Sequence, residues 1–538
     1  MPTLTWTGKE EALRAASLVP FRLLEPHATY EGGIVGDPKA AQDNLLIQGD
    51  NLEALKALLP YYAGRVKCIY IDPPYNTGSA FEHYDDNLEH STWLSMMYPR
   101  LELLRELLAE EGSIWVSCDD AEGQYLKVVM DEIFGRTNFI AAVIWQKRTS
   151  RENRAAIGTS HDYLLVYARK PAVEWKSYRN LLQPNQNGYA NPDNDSRGPW
   201  RSIPFSAQGW RPNQMYKIVT PIGKELNPPK GRCWGATEPE YKRYLSENRI
   251  YFPKNGEGRP RIKQFQYDEK GLAPMTFWPA DEVGNTEESK KEILSLFDDD
   301  APFATPKPER LIKRVLEIAT NKDDLALDSF LGSGTTAAVA HKMGRRWIGV
   351  EMGNHAVTHC LPRLKKVIEG EQGGISKDVG WKGGGGFRFI QLGDTLFDAF
   401  GRLNPKVKFT DLAAFVWWRE TKAPAIGGSI NPTSSFLGFH EGRGLYLLYN
   451  GILGDKRPKG GNVLTPAVLA SLPKHDGLRV VYAEATTYSP SSLAHMNISF
   501  KQIPYDLGSM QFLAEGALEY AAGLLPEAPS SQEEGGHV

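Results

Sequence analysis

An α/β fold with a largely parallel sheet is predicted, and three observations predict it. Two blocks, about residues 44 to 170 and 305 to 366, alternate short apolar runs with helix-length stretches. Several of those runs end on an acidic residue or a glycine turn, as strands feeding loops at one sheet edge do. Between the blocks, from about 171 to 300, Pro, Gly and Asn become frequent and periodicity fades.

In chain order, Leu45 to Ile47 is a strand ending at Gly49-Asp50, followed by a helix from about Asn51 to Leu59. Val66 to Ile71 is the next strand, with Asp72 at its carboxyl end. A Leu- and Met-rich helix runs from Trp93 to Glu110, then a strand from Ser113 to Ser117 and a helix from Gln124 to Phe134. Phe139 to Gln146 and Tyr163 to Tyr167 are strands. The second block reads as a helix from about Pro308 to Thr320, a strand Leu325 to Leu327, a glycine turn, and a helix from Thr335 to Met343. A strand Trp347 to Val350 and a helix to about Glu369 follow. The run Gly383 to Gly386 is expected to be a flexible junction. Beyond it lie short mixed elements, among them Leu412 to Trp418, Leu445 to Leu448 and Val480 to Ala483, and a polar tail from Pro526.

A chain of 538 residues is too long for one compact core, so two or three domains are expected. Cys68, Cys118, Cys233 and Cys360 lie far apart with no C-x-x-C pair, which argues against a zinc site or a disulfide framework; no metal is expected. No basic leader and no span of roughly 18 apolar residues is visible, so a soluble cytoplasmic protein is expected, nucleoid-associated when bound, with no membrane partner. The net charge of −3 hides an asymmetry: residues 145 to 263 carry 22 Lys and Arg against 10 Asp and Glu, an excess of +12, and the remainder carries −15. A basic block with interleaved aromatics (Trp200, Trp210, Tyr216, Trp234, Tyr251, Phe252) is the footprint of a nucleic-acid surface. A solvated loop-rich surface would look similar. The aromatics favour an ordered domain over a disordered segment.

Two motifs carry chemistry. Asp72-Pro73-Pro74-Tyr75 closes the run Cys68 to Ile71. An exocyclic amino group on a base is a poor nucleophile, because its lone pair is delocalised into the ring. A carboxylate and a backbone carbonyl that accept both of its N–H bonds draw it toward a tetrahedral, more reactive state. Asp72 supplies the carboxylate, the rigid Pro73-Pro74 turn aims the Pro73 carbonyl, and Tyr75 offers a flat face for an extrahelical base. The plainer reading is an extended turn that Asp72 caps. Phe330-Leu331-Gly332-Ser333-Gly334-Thr335 follows the second-block strand and opens a helix, as the binding turn of a nucleoside cofactor does. Asp328 at the strand end suits a cationic group, and Glu351, 23 residues on at the end of the next strand, suits ribose hydroxyls. The full three-glycine dinucleotide pattern is absent, which lowers NAD and FAD.

These residues resemble the β class of amino-methyltransferases, in which the catalytic motif precedes the cofactor motif and the recognition region lies between. The chain is most similar to the modification subunits of type III restriction–modification systems, which are N6-adenine methyltransferases. The stretches that carry the resemblance are Gly49 to Leu55, Ile69 to Gly78, Asn191 to Asp195, Lys307 to Leu311 and Leu327 to Thr336, with a fainter echo at Phe500 to Tyr505. The resemblance implies a circularly permuted Rossmann-like fold that uses S-adenosyl-L-methionine. Covering roughly residues 4 to 366, it implies a catalytic half over 1–170, an inserted target recognition domain over 171–300 and a cofactor half over 301–370; a C-terminal accessory α+β region over 387–525 is assigned to assembly by elimination. It makes Asp72 to Tyr75 the catalytic loop and Phe330, Gly332, Gly334 and Thr335 the cofactor turn, with Glu351 on the ribose. It puts Asp50 near the cofactor's adenine and Thr305 and Lys307 near its methionine end. Serine in place of Asp72 is typical of N4-cytosine enzymes, so aspartate implies adenine; N4-cytosine methylation is the alternative.

The implied partners are double-stranded DNA, a second copy of the chain as a homodimer, and a restriction/helicase subunit. A docking and specificity subunit, active only with that partner, is the rival from another class. His161-Asp162 reads as a polar strand entrance, Trp417-Trp418 as core or interface, and Trp93, Met96 and Met97 as helix packing.

Overall fold

The computed structural model describes residues 3–31, 44–76, 89–151, 156–183, 188–268, 271–297, 303, 305–398, 400–425, 430–449, 452 and 461–507. Thr77 and Gly78 of the matching stretches and the tail from Pro526 fall outside these residues.

The first element is helix α1 (Lys9–Leu18), followed by strand β1 (Arg22–Glu31). β2 (Leu45–Gln48) leads into α2 (Asn51–Tyr62), and β3 (Val66–Ile71) leads through the Asp72 loop toward α3 (His90–Leu107). β4 (Leu108–Cys118), α4 (Gly123–Phe134), β5 (Phe139–Gln146) and β6 (His161–Ala168) complete this half. After the insert come β7 (Phe277–Trp278), α5 (Thr286–Leu296), α6 (Glu309–Ala319), β8 (Leu325–Asp328), α7 (Thr335–Lys342) and β9 (Arg346–Glu351). A π-helical turn (Ala356–Cys360) runs into α8 (Leu361–Glu369), and β10 (Gly386–Thr395) follows.

These ten strands form one sheet in the order β1-β10-β2-β9-β8-β3-β4-β6-β5-β7. The six from β10 to β4 are mutually parallel, and β1 and β6 run antiparallel to their neighbours. Central strands covered on both faces need unbroken apolar runs. β2, β3 and β8 accordingly have almost every residue buried. The order fixes the site. β8 passes through α7 to β9 on one side, whereas β3 passes through α3 to β4 on the other. The crevice where connections diverge therefore lies between the carboxyl ends of β8 and β3, where α/β sheets bind ligands.

The chain divides into two compact units, one comprising 1–180 with 275–538 and the other 181–274. The insert expected over 171–300 is thus narrower as a compact body: β7 pairs in parallel with β5, which ties its distal flank to the large sheet. The smaller unit holds a three-stranded antiparallel sheet (Ile250–Tyr251, Arg261–Phe265, Trp200–Pro204) and a core built on Phe205, Trp234 and Tyr241. Asn191 to Asp195 is a structural knot in this unit. Asp195 takes Arg197 at 2.7 Å, Lys263 pairs with Asp193 and Asp195, and the Trp200 indole donates to Asp193 at 2.8 Å. Of the aromatics read as a nucleic-acid surface, Trp200 and Trp234 are core and Tyr216 and Phe252 pack on it; Trp210 and Tyr251 are exposed.

The expected boundary at 387 gives way as well, since β10 is hydrogen-bonded between β1 and β2 inside the large sheet. The glycines before it are packed, not a free junction: Gly384 donates to Ile368 C=O at 2.8 Å, and its carbonyl lies 2.9 Å from His341 Nε2. Burial lowers the His341 pKa, and because its Nδ1 accepts the Trp347 indole N–H at 3.2 Å, its Nε2 is the donor to that carbonyl. Helix α9 (Phe409–Thr421) buries Trp418 against Phe21 and Phe415 in the main core. Beyond it a four-stranded sheet runs Phe436–His440, Arg443–Leu447, Leu478–Ala483, Ile498–Gln502. No described helix is long and apolar enough to cross a membrane.

Candidate active site

Four acidic residues end or follow within two residues four neighbouring parallel strands: Asp50 after β2, Glu351 on β9, Asp328 on β8 and Asp72 after β3. Their surroundings differ. Asp50 caps α2, its Oδ1 accepting the N–H groups of Leu52 (2.8 Å) and Glu53 (3.2 Å), and its Oδ2 pairs with Arg100 at 3.0 Å. Asp328 is buried, with Oδ1 accepting the Phe330 N–H (3.0 Å) and Oδ2 the Thr336 hydroxyl (2.6 Å). Desolvation pushes its pKa up to about 7, partly offset by those two donors. Glu351 Oε2 accepts the Gly332 N–H at 2.7 Å. Asp72 pairs through Oδ2 with Lys307, while its Oδ1 is buried with no hydrogen-bond partner among the described residues.

The catalytic-loop candidates lie together. Pro74 C=O accepts the Trp93 indole N–H at 2.7 Å, so Trp93 is an anchor of this loop as well as packing. The Tyr75 hydroxyl is also buried and unpartnered among the described residues, and the Lys307 ammonium stands 5.1 Å from its ring centre. Asn76, in the left-handed region at φ 59°, donates to Glu122 Oε1 at 2.7 Å, and His90 Nδ1 lies 2.6 Å from the same oxygen. Asp162 is buried and pairs with Lys147 at 2.5 Å. Burial raises its pKa and the charges of Lys147 and Lys307 oppose that, so it belongs to the electrostatics of the Asp72 neighbourhood and is more than a strand entrance. Thr305 is exposed, two residues before Lys307.

The glycine turn is built differently. Gly332 (φ 56°) and Gly334 (φ 82°) are left-handed, and a Cβ at either would press on Phe303 at 3.0 Å or on the Cys360 main chain at 3.3 Å. Ser333 and Thr335 hydroxyls lie 3.1 Å apart. Arg363 donates to Thr335 Oγ1 and to Glu309 Oε1, both at 2.8 Å, and Lys342 donates to both Glu309 oxygens. This buried cluster braces the turn from beneath.

Parallel strands β8 and β3 are adjacent, with Leu327 opposite Ile69. The glycine turn and the Asp72 loop therefore leave the same edge side by side. A family model described as DNA methylase matches residues 66–361, which includes both.

The chain belongs to the DNA methylase family.

Among curated relatives of this family, the type III restriction-modification enzyme StyLTI Mod subunit of Salmonella typhimurium is 36% identical over 366 residues, 62% of this chain and 55% of that one. The probable HindVI Mod subunit of Haemophilus influenzae is 32% identical over 412 residues, 65% and 54%. The type II methyltransferase M.EcaI of Enterobacter cloacae is 30% identical over 330 residues, 60% and 69%. The chain spans about half the length of the two Mod subunits.

Sequence reasoning about this family member missed Arg100, Glu122, Arg363, Glu309 and Lys342. Arg100 left one signal, a charge inside a Met- and Leu-rich helix. Glu309 lay inside the matching stretch Lys307 to Leu311, which marked the segment but not its role, and the others come from helices and loops far apart in the chain and left none.

Proposed function

We propose that the chain is a site-specific DNA methyltransferase that transfers the methyl group of S-adenosyl-L-methionine to N6 of a flipped-out adenine, within a restriction–modification system. One observation carries the reading. A left-handed glycine turn and an Asp-Pro-Pro-Tyr loop sit on adjacent strand ends, and the loop keeps two buried polar atoms, Asp72 Oδ1 and Tyr75 Oη, without partners among the described residues. Unpaired buried polar atoms are costly, and a bound polar ligand removes that cost.

The residues fit the cofactor. Gly332 and Gly334 let it approach the main chain, Asp50 and Glu351 stand at the two strand ends beyond, and Phe330 and Thr335 flank the turn. Asp328 serves by holding the turn, since both its oxygens are engaged within it. When bound, S-adenosylmethionine supplies an electrophilic methyl group.

The chain's own groups do the rest. Asp72 Oδ1 accepts one N–H of the base amino group. The Pro74 carbonyl already serves Trp93, which leaves the Pro73 carbonyl for the second N–H. Together they concentrate the nitrogen lone pair toward the methyl donor, and Asp72 holds the proton the nitrogen sheds once methylated. Lys307, paired through the other oxygen, fixes the carboxylate's rotation. The Tyr75 ring offers the stacking face. The compact unit 181–274 carries 15 Lys and Arg against 9 Asp and Glu and supplies target recognition. The region beyond 396 serves assembly, with a second copy or with a helicase–nuclease subunit of the kind that type III systems employ.

The test is incubation of the full chain with methyl-labelled S-adenosylmethionine and mixed-sequence duplex DNA, then nucleoside analysis. N6-methyladenine is expected. N4-methylcytosine would keep the loop chemistry and replace the base. Cofactor binding with no label in DNA would instead favour a docking subunit that works only with its partner.

A further inference from the structure

Helix α3 touches both halves of the site. Trp93 near its start donates to Pro74 C=O in the Asp72 loop. Arg100, seven residues on and so on the same face about two turns away, reaches the other half. Its Nη2 pairs with Asp50 Oδ2 at 3.0 Å, and its Nε donates to Asn51 Oδ1 at 2.5 Å. Its Nη1 donates to Met96 C=O in its own helix at 2.8 Å. Asn51 passes the restraint on, its Nδ2 donating to Ser329 C=O at 2.7 Å, one residue before Phe330 and the glycine turn. Arg100 and Asn51 are largely buried, with the Arg100 side chain 12% exposed.

We propose that Arg100 is a positioning residue of the cofactor pocket, fixing the Asp50 carboxylate directly and the main chain at Ser329 through Asn51. The inference rests on reading that pocket as the S-adenosylmethionine site. Asp50 Oδ1 is committed to the cap of α2, so the guanidinium on Oδ2 removes the carboxylate's last freedom to rotate. The amide of Asn51 is aligned by a donor on one side and an acceptor on the other. Without Arg100 its buried oxygen loses its donor, and its hold on Ser329 C=O loosens. A planar fork is needed to serve two acceptors at once, whereas a lysine ammonium is a single point charge. Because α3 also anchors the catalytic loop, one rigid element sets the spacing between methyl donor and acceptor sites.

The test compares Arg100→Gln, Arg100→Lys and Trp93→Phe in the full chain. S-adenosylmethionine affinity is measured by calorimetry, duplex DNA affinity by anisotropy, and Tm by thermal unfolding. Arg100→Gln is expected to weaken the cofactor about tenfold or more, the loss of a charged hydrogen bond. DNA affinity should stay within about twofold, and Arg100→Lys should recover part of the loss through Asp50. Trp93→Phe should leave cofactor affinity unchanged. Wild-type cofactor affinity in Arg100→Gln overturns the proposal. So does a cofactor loss matched by equal loss of DNA binding and a fall in Tm that Arg100→Lys shares, which marks a structural pin. A wild-type chain that binds no S-adenosylmethionine overturns the pocket reading and the inference with it.

Discussion

The ends of β8 and β3 are neighbours in one sheet, yet they are finished in opposite ways. Past β8 the turn has its partners in place: Asp328 and Glu351 accept its N–H groups, Arg363 braces Thr335, and the π-helical turn packs beneath Gly334. Past β3 the described part of the loop is held from outside, by Trp93 on Pro74, Glu122 on Asn76 and Lys307 on Asp72, and Asp72 Oδ1 and the Tyr75 hydroxyl are buried without hydrogen-bond partners among the described residues. On the proposed function, the turn that receives the same cofactor every cycle is best finished in advance. On the same reading, the loop that receives a base from a duplex keeps its hydrogen-bonding capacity open until the base supplies it.

The largest effect should come from the open side. Replacing Asp72 with Ala removes the acceptor for the amino group, and methyl transfer should fall about a thousandfold in single-turnover assays. Next is the finished side. Gly334→Val puts a branched side chain at φ 82° against Cys360, at a cost of about 1–3 kcal/mol. Lower Tm and weakened cofactor binding should appear together, in contrast to Asp72→Ala. A smaller effect is expected from Trp93→Phe, which keeps the ring but frees the Pro74 carbonyl; kcat should fall about tenfold with cofactor affinity unchanged.

The smallest concerns pH. Burial raises the Asp328 pKa from 3.8 to about 7. The native state therefore holds a proton that the unfolded chain has lost, and this contribution to stability is complete below about pH 4 and is lost as pH rises through about 7. Glu102 and Glu292 are raised to about 7 by burial as well and contribute in the same direction. Denaturation midpoints between pH 4.5 and 8 should fall less steeply in Asp328→Asn than in the wild type by this one contribution.

Most of the parallel sheet was legible in the sequence, because buried parallel strands leave continuous apolar runs. Val66 to Ile71 has the expected bounds, as has Phe139 to Gln146 beyond the parallel strands, and Asp50 marks the start of α2 through its cap. β1 and β10 were not legible, since β10 follows a glycine run that reads as a linker and its partners lie over 300 residues away. The two motifs of the site were legible because their chemistry is local. The braces were not: Arg363 with Glu309, Arg100 with Asp50, and Glu122 with Asn76 each depend on a meeting of distant segments. The same holds for Trp200 and Trp234, whose spacing among charges suggested a surface and which fill a core instead.

The division of labour between the two strand ends is tested most directly by one pair of measurements on Asp72→Ala, cofactor affinity by calorimetry and methyl transfer to duplex DNA. Wild-type affinity with transfer reduced about a thousandfold is the predicted result. Transfer at the wild-type rate, or a loss of cofactor binding that accounts for the whole defect, would contradict the account.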